Sequence, residues 1–155
     1  MGREAVTVGV LGECVLKEYQ RSNVPSALQG AFAEHHAILS RLHISHISIT
    51  SCLVKTPDDL GKCDALIIPG GESTTIALLA RLAGLLDSLK AFVKVKPVWG
   101  TCAGAILLAE GVEGAKKGGQ ELLGGVSVVL ERNGWGSQVV HCLRAFAGGA
   151  SNIVC

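Results

Sequence analysis

The residue whose setting most clearly indicates chemistry is Cys102, at the centre of Gly-Thr-Cys-Ala-Gly, residues 100–104. Glycines on both sides of a nucleophile are typical of an elbow, in which a strand turns sharply into a helix. The nucleophile sits at the tip in a strained conformation, and the start of the helix favours the reactive thiolate. We interpret Cys102 as a nucleophile and the N–H of Ala103 as an oxyanion donor. The alternative is a buried structural cysteine in a glycine turn.

A second polar turn, Pro-Gly-Gly-Glu-Ser-Thr at residues 69–74, follows an apolar run. Paired glycines after a buried strand can turn their N–H groups toward a ligand, as in an anion nest. Glu72 and Ser73 have side chains suited to holding a polar substrate. By itself, however, the segment favours an ordinary strand-to-helix loop in which Ser73 or Thr74 caps the helix.

A cysteine nucleophile usually works with a histidine base that a third polar group orients. Four of the five histidines lie on or near the first predicted helix, and we interpret most of them as solvated or capping residues: His35, His36, His43 and His46. His141 is the only histidine after Cys102, and no carboxylate follows it. This disfavours His141 as a catalytic base.

The elements that must position these turns alternate between strands and helices. Short apolar runs predict strands at residues 5–11, 46–53, 65–68, 97–99 and 126–130. Helical spacing of apolar residues is found at residues 31–43, 76–83, 85–93 and 105–109. Thr56 and Pro57 mark a further helix start, and residues 111–119 are predicted to be a loop. The order predicts an α/β fold with an open, mostly parallel sheet, helices on both faces, and both glycine-rich turns at the edge where ligands bind.

Composition excludes several other classes of protein. The 155 residues suggest a single domain, and 48% hydrophobic against 17% charged residues is enough for a core. A net charge of +1 gives no electrostatic reason to bind nucleic acid or an anionic membrane, and no apolar run approaches the roughly 20 residues of a membrane span. The six cysteines form no Cys-x-x-Cys pair, so we expect no metal. Nothing marks secretion, and we expect a cytoplasmic protein with reduced thiols.

Four groups of segments together resemble one family. They are residues 8–11 with 28–35, the run Leu-Ile-Ile-Pro-Gly-Gly-Glu-Ser-Thr-Thr at 66–75, the elbow at 100–104, and Glu-Arg-Asn-Gly-Trp-Gly-Ser-Gln at 131–138. The combination closely resembles the glutaminase subunit of pyridoxal 5'-phosphate synthase, a class I glutamine amidotransferase family with a flavodoxin-like fold. The resemblance covers residues 5–11 and 27–138.

The resemblance implies a reaction, a partner and a set of site residues, with no cofactor. Cys102 would attack the side-chain amide of L-glutamine and form a glutamyl thioester; ammonia leaves, and water then releases glutamate. Oxyanion donors are implied at Gly70, Gly71 and Ala103. Substrate contacts are implied at Gly71, Glu72, Ser73 and Arg132. Gln29 would lie in an interface and oxyanion loop that settles when the synthase subunit docks, and ammonia would pass to that subunit for vitamin B6 synthesis.

Two segments depart from the family pattern. Residues 12–26 are interpreted as an insertion, because joining Leu11 to Ala27 restores Val-Gly-Val-Leu-Ala-Leu-Gln-Gly; a retained intron is our hypothesis. Residues 139–155 form a non-matching tail, and the family's catalytic His-x-Glu is expected beyond the matched part. We therefore expect residues 1–155 to form one incomplete glutaminase domain with its C-terminal part missing and with little glutaminase activity.

Two other functions remain open at this point. In the first, the chain is a catalytically dead homologue that only binds the synthase subunit. In the second, the chain is another α/β protein with a cysteine elbow, such as a thiol hydrolase or a redox sensor.

Overall fold

The apolar, β-branched runs of the sequence form strands. The structure is a computed structural model and describes residues 4–12, 32–113, 120–131, 143–147 and 150–154. Its strands are β1 (Glu4–Leu11), β2 (Ile47–Val54), β3 (Ala65–Ile68), β4 (Val98–Gly100), β5 (Ala109–Glu113), β6 (Val126–Glu131), β7 (Leu143–Ala147) and β8 (Ala150–Val154). The first four lie within a residue or two of the predicted bounds.

The described helices overlap the predicted helical segments, with ends that differ by up to three residues. They are α1 (Phe32–Arg41), α2 (Pro57–Gly61), α3 (Ser73–Leu82), α4 (Leu86–Val95) and α5 (Ala103–Leu108). Thr56 caps α2 in a capping box with Asp59, and Pro57 is the first helical residue, as predicted. Gly84, with φ of +68°, lies in the turn between α3 and α4, where the sequence predicted a break.

Six strands form the main sheet, in the order β2-β1-β3-β4-β8-β7. Neighbouring strands from β2 to β8 pair in parallel, and β7 pairs antiparallel with β8. The first four strands follow the 2-1-3-4 order of flavodoxin-like sheets, and β8 takes the fifth place. The predicted open, mostly parallel sheet is therefore confirmed.

Two neighbouring residues of β2 show that helices cover both faces of the sheet. Successive side chains of a strand point to opposite faces. The hydroxyl of Ser51 lies 2.9 Å from Nδ1 of His36 in α1, whereas Sγ of Cys52 lies 3.6 Å from Sγ of Cys63, just after α2. Helices α1 and α2 are therefore on opposite faces, as predicted.

The core lies on the face that α1 does not cover. Leu66 and Ile68 of β3 and Leu89 of α4 are among its largest fully buried side chains. Helix α1, by contrast, has no buried residue. Its contact with the sheet depends on a few partly buried side chains.

The second half of the chain differs from the sequence-based prediction. Residues 109–113 form β5, although a helix was predicted to 109 and a loop from 111. The predicted fifth strand, β6, is found, but it pairs with β5 in a separate two-stranded sheet. The two strands are close at this point, since a Cβ added to Gly111 would lie 3.2 Å from Cγ2 of Val129. Pairing between distant segments overrode the local pattern.

The tail contributes backbone to the main sheet. Trp99 and Gly100 of β4 pair with Ile153 and Val154 of β8. The predicted insertion, residues 12–26, and the positions of Gln29, Arg132 and His141 lie outside the described residues, apart from Gly12. In the described part of the chain, no helix combines the length and apolar character required to cross a membrane.

Candidate active site

Cys102 lies at a sharp turn between β4 and α5. Strand β4 ends at Gly100 and α5 begins at Ala103. Between them Cys102 has φ of 51° and ψ of −109°, a backbone conformation that non-glycine residues rarely adopt. Strain of this kind persists only where the surrounding structure enforces it, and it is common at active sites. The thiol is exposed, so the elbow is confirmed and the alternative of a buried structural cysteine is wrong.

The glycines of the elbow are required by close backbone contacts. A Cβ on Gly104 would lie 2.0 Å from the carbonyl oxygen of Ile68, at the end of β3. A Cβ on Gly100 would lie 2.6 Å from the carbonyl carbon of Gly104. Both distances are far inside van der Waals contact, so neither position accepts a larger residue without backbone movement. The sequence-based reason for the two glycines is thus confirmed.

Cys102 also lies beside the turn at residues 69–74. The N–H of Thr101 donates to the carbonyl oxygen of Ile68 at 3.1 Å, which ties the elbow to the end of β3. A Cβ on Gly70 would lie 3.5 Å from Cβ of Cys102, an ordinary contact distance. The structure therefore brings together the two turns that the sequence singled out separately.

The backbone around Cys102 offers possible oxyanion donors. Ala103 is the first residue of α5, so its N–H has no acceptor within the helix. Gly71 has φ of +153°, a conformation that glycine adopts readily and other residues do not. The roles of Gly70, Gly71 and Ala103 as oxyanion donors stay predictions.

Glu72 caps helix α3 with its side chain. Its Oε2 accepts from the N–H of Thr75 at 2.7 Å and from the Thr75 hydroxyl at 2.8 Å, and it also accepts from the hydroxyl of Thr74. The alternative in which Ser73 or Thr74 is the cap is wrong. The hydrogen bond from Thr74, followed by those from Thr75, lowers the pKa of Glu72 from its usual 4.5 to about 2. The carboxylate is therefore charged throughout the physiological range.

Ser73 is nearly out of contact with solvent. Its residue is 2% exposed, and its hydroxyl oxygen has no hydrogen-bond partner among the described residues. A buried hydroxyl of this kind is unusual, because leaving it unpaired costs free energy. The predicted substrate contact from Ser73 stays a prediction.

His35 lies close to the elbow, which the sequence reasoning missed. Its ring contacts Trp99 edge to face, with centroids 5.5 Å apart, and its Nε2 lies 3.5 Å from the hydroxyl of Thr101. Burial lowers the pKa of His35 below its usual 6.5. The sequence contains one signal for this position: His35 follows Phe32 by three residues and precedes Leu39 by four, so the three side chains share one face of α1. His36 and His43 are exposed, as expected.

The described part of the chain does not complete a cysteine–histidine pair. None of its histidines forms a hydrogen bond with the Cys102 sulfur, and His141 lies outside that part. The same residues contain no group of three His, Cys, Asp or Glu side chains that could hold a metal ion. The chemistry defined here is that of an exposed thiol beside backbone N–H donors, an arrangement suited to attack on a carbonyl carbon.

Fold and site together define an α/β protein with an exposed cysteine on a strand-to-helix elbow at the carboxyl edge of a parallel sheet. The model of the SNO glutamine amidotransferase family matches residues 26–146. The chain belongs to this family. The match covers the 69–74 turn and the elbow.

Individual relatives agree with the family match. The chain is 51% identical over 114 residues, 73% of its length, to the probable pyridoxal 5'-phosphate synthase subunit PDX2 of Arabidopsis thaliana, and covers 43% of that protein. It is 47% identical over 138 residues, 83% of its length, to the pyridoxal 5'-phosphate synthase subunit PdxT of Saccharolobus islandicus, and covers 68% of it. A crystal structure of a glutamine amidotransferase superposes with a TM-score of 0.62 at 38% identity, covering 88% of this chain and 61% of that one.

The chain spans about half the length of several curated relatives that it matches, 43% of the Arabidopsis protein and 57% of two from Chloroflexus. Activity, substrate and partner are therefore proposed below.

Gly104→Ala should destabilise the protein. Its methyl group would overlap the Ile68 carbonyl oxygen, and a backbone atom cannot move aside as a side chain can. We expect the free energy of unfolding, measured by urea titration, to fall by about 2 kcal/mol or more. Gly61→Ala is the matched control, because nothing lies within 4 Å of the added methyl group; it should be neutral or slightly stabilising. Equal losses from both substitutions would contradict the packing account.

Glu72→Gln should weaken the protein in a pH-dependent manner. The pKa of Glu72 is lowered on folding, so its contribution is present above about pH 4.5 and is lost as pH falls toward about 2. Because the side chain is solvent-exposed, we expect a difference of only on the order of 1 kcal/mol at pH 7. Urea unfolding of both proteins between pH 7 and pH 2 measures it. Glu113→Gln, at an exposed site, is the control, and a difference that persists unchanged at pH 2 would refute the assignment.

His35→Gln should remove a pH-dependent loss of stability. Since burial lowers the pKa of His35, the native protein should lose stability as pH falls below about 6.5, when the unfolded state takes up the proton more readily. The His35→Gln variant should show a smaller loss between pH 8 and pH 5 in urea unfolding, and the exposed His43→Gln control should behave as the native protein. Identical pH dependence in all three proteins would rule out a contribution from His35.

Proposed function

We propose that the reaction of this chain is the hydrolysis of L-glutamine to glutamate and ammonia through a thioester on Cys102, with the low activity expected from the sequence, and that the ammonia serves the synthesis of pyridoxal 5'-phosphate. The observation that carries the proposal is an exposed cysteine on a strained elbow that lies beside Gly70, in a loop where the carboxylate of Glu72 is charged. Membership of a glutamine amidotransferase family supports the choice of substrate.

The proposed reaction has two steps. In the first, the sulfur of Cys102 bonds to the amide carbon of glutamine, and the carbon–nitrogen bond breaks. The nitrogen leaves as ammonia and takes up the proton that the thiol loses. In the second, water attacks the thioester carbon, the carbon–sulfur bond breaks, and glutamate and the free thiol are formed. Both steps pass through an intermediate with negative charge on oxygen.

Backbone N–H groups would stabilise that charge. Ala103, at the start of α5, and the Gly70–Gly71 peptide are the proposed donors, since they flank the position of the thiol. Donors fixed by the backbone are already oriented when the charge develops, which is why such sites lower the barrier effectively. The close contact of Gly104 with β3 keeps the helix start, and hence Ala103, in place.

The 69–74 turn would hold the substrate. The α-ammonium group of glutamine is a cation, and the charged carboxylate of Glu72 is a suitable partner for it. Gly71 and Ser73 would contribute the remaining contacts in this turn, and Arg132 would bind the α-carboxylate. The three hydrogen bonds that Oε2 of Glu72 accepts from threonines keep the carboxylate ordered before substrate arrives.

The partner would be the synthase subunit of pyridoxal 5'-phosphate synthase. The names of the relatives from Arabidopsis and Saccharolobus, each a subunit of that enzyme, support the proposal. Gln29 is proposed to lie in the loop that settles on docking. The cytoplasmic location expected from the sequence belongs to the same proposal.

A reactive glutamine analogue tests the proposed site directly. A diazoketone analogue of L-glutamine should alkylate Cys102, and excess L-glutamine should protect the thiol, because both compete for one site. Orientation by the 69–74 turn should make labelling on the order of 100-fold faster than with the D-enantiomer. Intact-mass and peptide mass spectrometry measure the rate and the site.

Two controls accompany the labelling experiment. Cys102→Ser should abolish the label, and Glu72→Gln should slow labelling by the analogue but leave the reaction of Cys102 with iodoacetamide unchanged. Equal rates for the two enantiomers, with no protection by L-glutamine, would defeat the proposal. Glutamate release with the synthase subunit present then separates an active enzyme from a protein that only binds its partner.

A further inference from the structure

A second pair of cysteine sulfurs lies in contact, away from the candidate active site. Cys52 of β2 and Cys63, in the short segment between α2 and β3, have their sulfur atoms 3.6 Å apart. Cys63 is completely buried, whereas Cys52 is partly exposed. Of the two residues, Cys52 is therefore the one that a small oxidant can approach from solvent.

The sheet has a gap that accommodates this pair. Gly9 of β1 is the direct register partner of Cys52, so the two residues face the same side of the sheet. A Cβ on Gly9 would lie 2.6 Å from the sulfur of Cys63. Only a glycine at this position leaves space for the Cys63 sulfur to lie over β1 and reach Cys52.

The surroundings hold the Cys63 sulfur in this gap. Its thiol donates to the carbonyl oxygen of Asp59 at 3.3 Å, and its N–H donates to the carbonyl oxygen of Leu60 at 3.1 Å. Burial, together with the hydrogen bond to Cys52, raises the pKa of Cys63 to about 12. Cys63 therefore stays a thiol in the reduced protein, and reaction has to begin at Cys52.

We propose that Cys52 and Cys63 form a reversible disulfide when the protein meets hydrogen peroxide, a modification site independent of Cys102. The thiolate of Cys52 attacks one peroxide oxygen, the oxygen–oxygen bond breaks, and a sulfenic acid and hydroxide form. The sulfur of Cys63 then attacks the Cys52 sulfur, and the sulfur–oxygen bond breaks. The departing hydroxide takes the Cys63 proton, and the hydroxide from the first step takes the proton that the Cys52 thiol lost, so two thiols and one peroxide give one disulfide and two waters.

The cross-link would join the edge strand β2 to the segment that leads into β3. The sulfur separation has to shorten from 3.6 Å to about 2.05 Å, which side-chain rotation and small backbone shifts can provide. A disulfide that closes a short loop restricts mainly the unfolded chain. The oxidised protein should consequently melt roughly 5–10 °C higher than the reduced protein.

Peroxide treatment of a Cys102→Ser variant tests the proposal without disturbing the core. This variant removes the exposed thiol that would otherwise compete for oxidant. After treatment, free thiols are alkylated at low pH, and the digest is analysed by mass spectrometry. We expect a peptide pair joined through Cys52 and Cys63, which dithiothreitol separates. The native protein should contain the same link.

Single substitutions within the pair distinguish the order of the steps. Cys63→Ser should leave Cys52 as a sulfenic acid that dimedone traps, whereas Cys52→Ser should leave Cys63 unmodified because it is buried. Three outcomes would overturn the proposal: no link at a peroxide dose that oxidises Cys102 in the native protein, over-oxidation of Cys52 instead of linkage, or linkage of either sulfur to Cys14, Cys142 or Cys155.

Discussion

The close approach of α5 to β3 is the constraint on which the rest of the site depends. With no side chain at Gly104, the helix backbone lies directly against the carbonyl oxygen of Ile68. The chain then has only Thr101 and Cys102 in which to turn from Gly100 to Ala103, and Cys102 takes the strained conformation that this turn requires. The thiol is exposed because the turn points it outward at the carboxyl edge of the sheet. Packing energy distributed over the core thus maintains local strain at the candidate nucleophile.

The loop beside the elbow is ordered by polar contacts instead of packing. Glu72 accepts three hydrogen bonds from Thr74 and Thr75, and the charge on its carboxylate strengthens each of them. At the elbow itself, His35 joins α1 to Trp99 and Thr101. Since α1 has no buried residue, this contact helps to fix the helix relative to the elbow.

Cysteines of identical chemistry have contrasting environments in this fold. Cys102 is exposed at a turn, whereas Cys63 is buried with its sulfur against Cys52 and its pKa raised to about 12. Reactivity toward a substrate requires access, and the first thiol has it. The buried thiol of Cys63 can react only through the neighbouring sulfur of Cys52. Function in this chain therefore follows from where the fold places each thiol.

Local sequence determined the order of the elements from β1 to α5 and the shape of the elbow. Glycine spacing around Cys102 and the Thr56–Pro57 helix start act through short-range sterics and hydrogen bonds, and both predictions are confirmed. Tertiary structure alone decided that β6 pairs with β5, that β8 lies beside β4, that His35 reaches the elbow and that Cys52 meets Cys63. Those contacts join different elements of the chain, and no local periodicity specifies which partner in another element a strand or side chain will find.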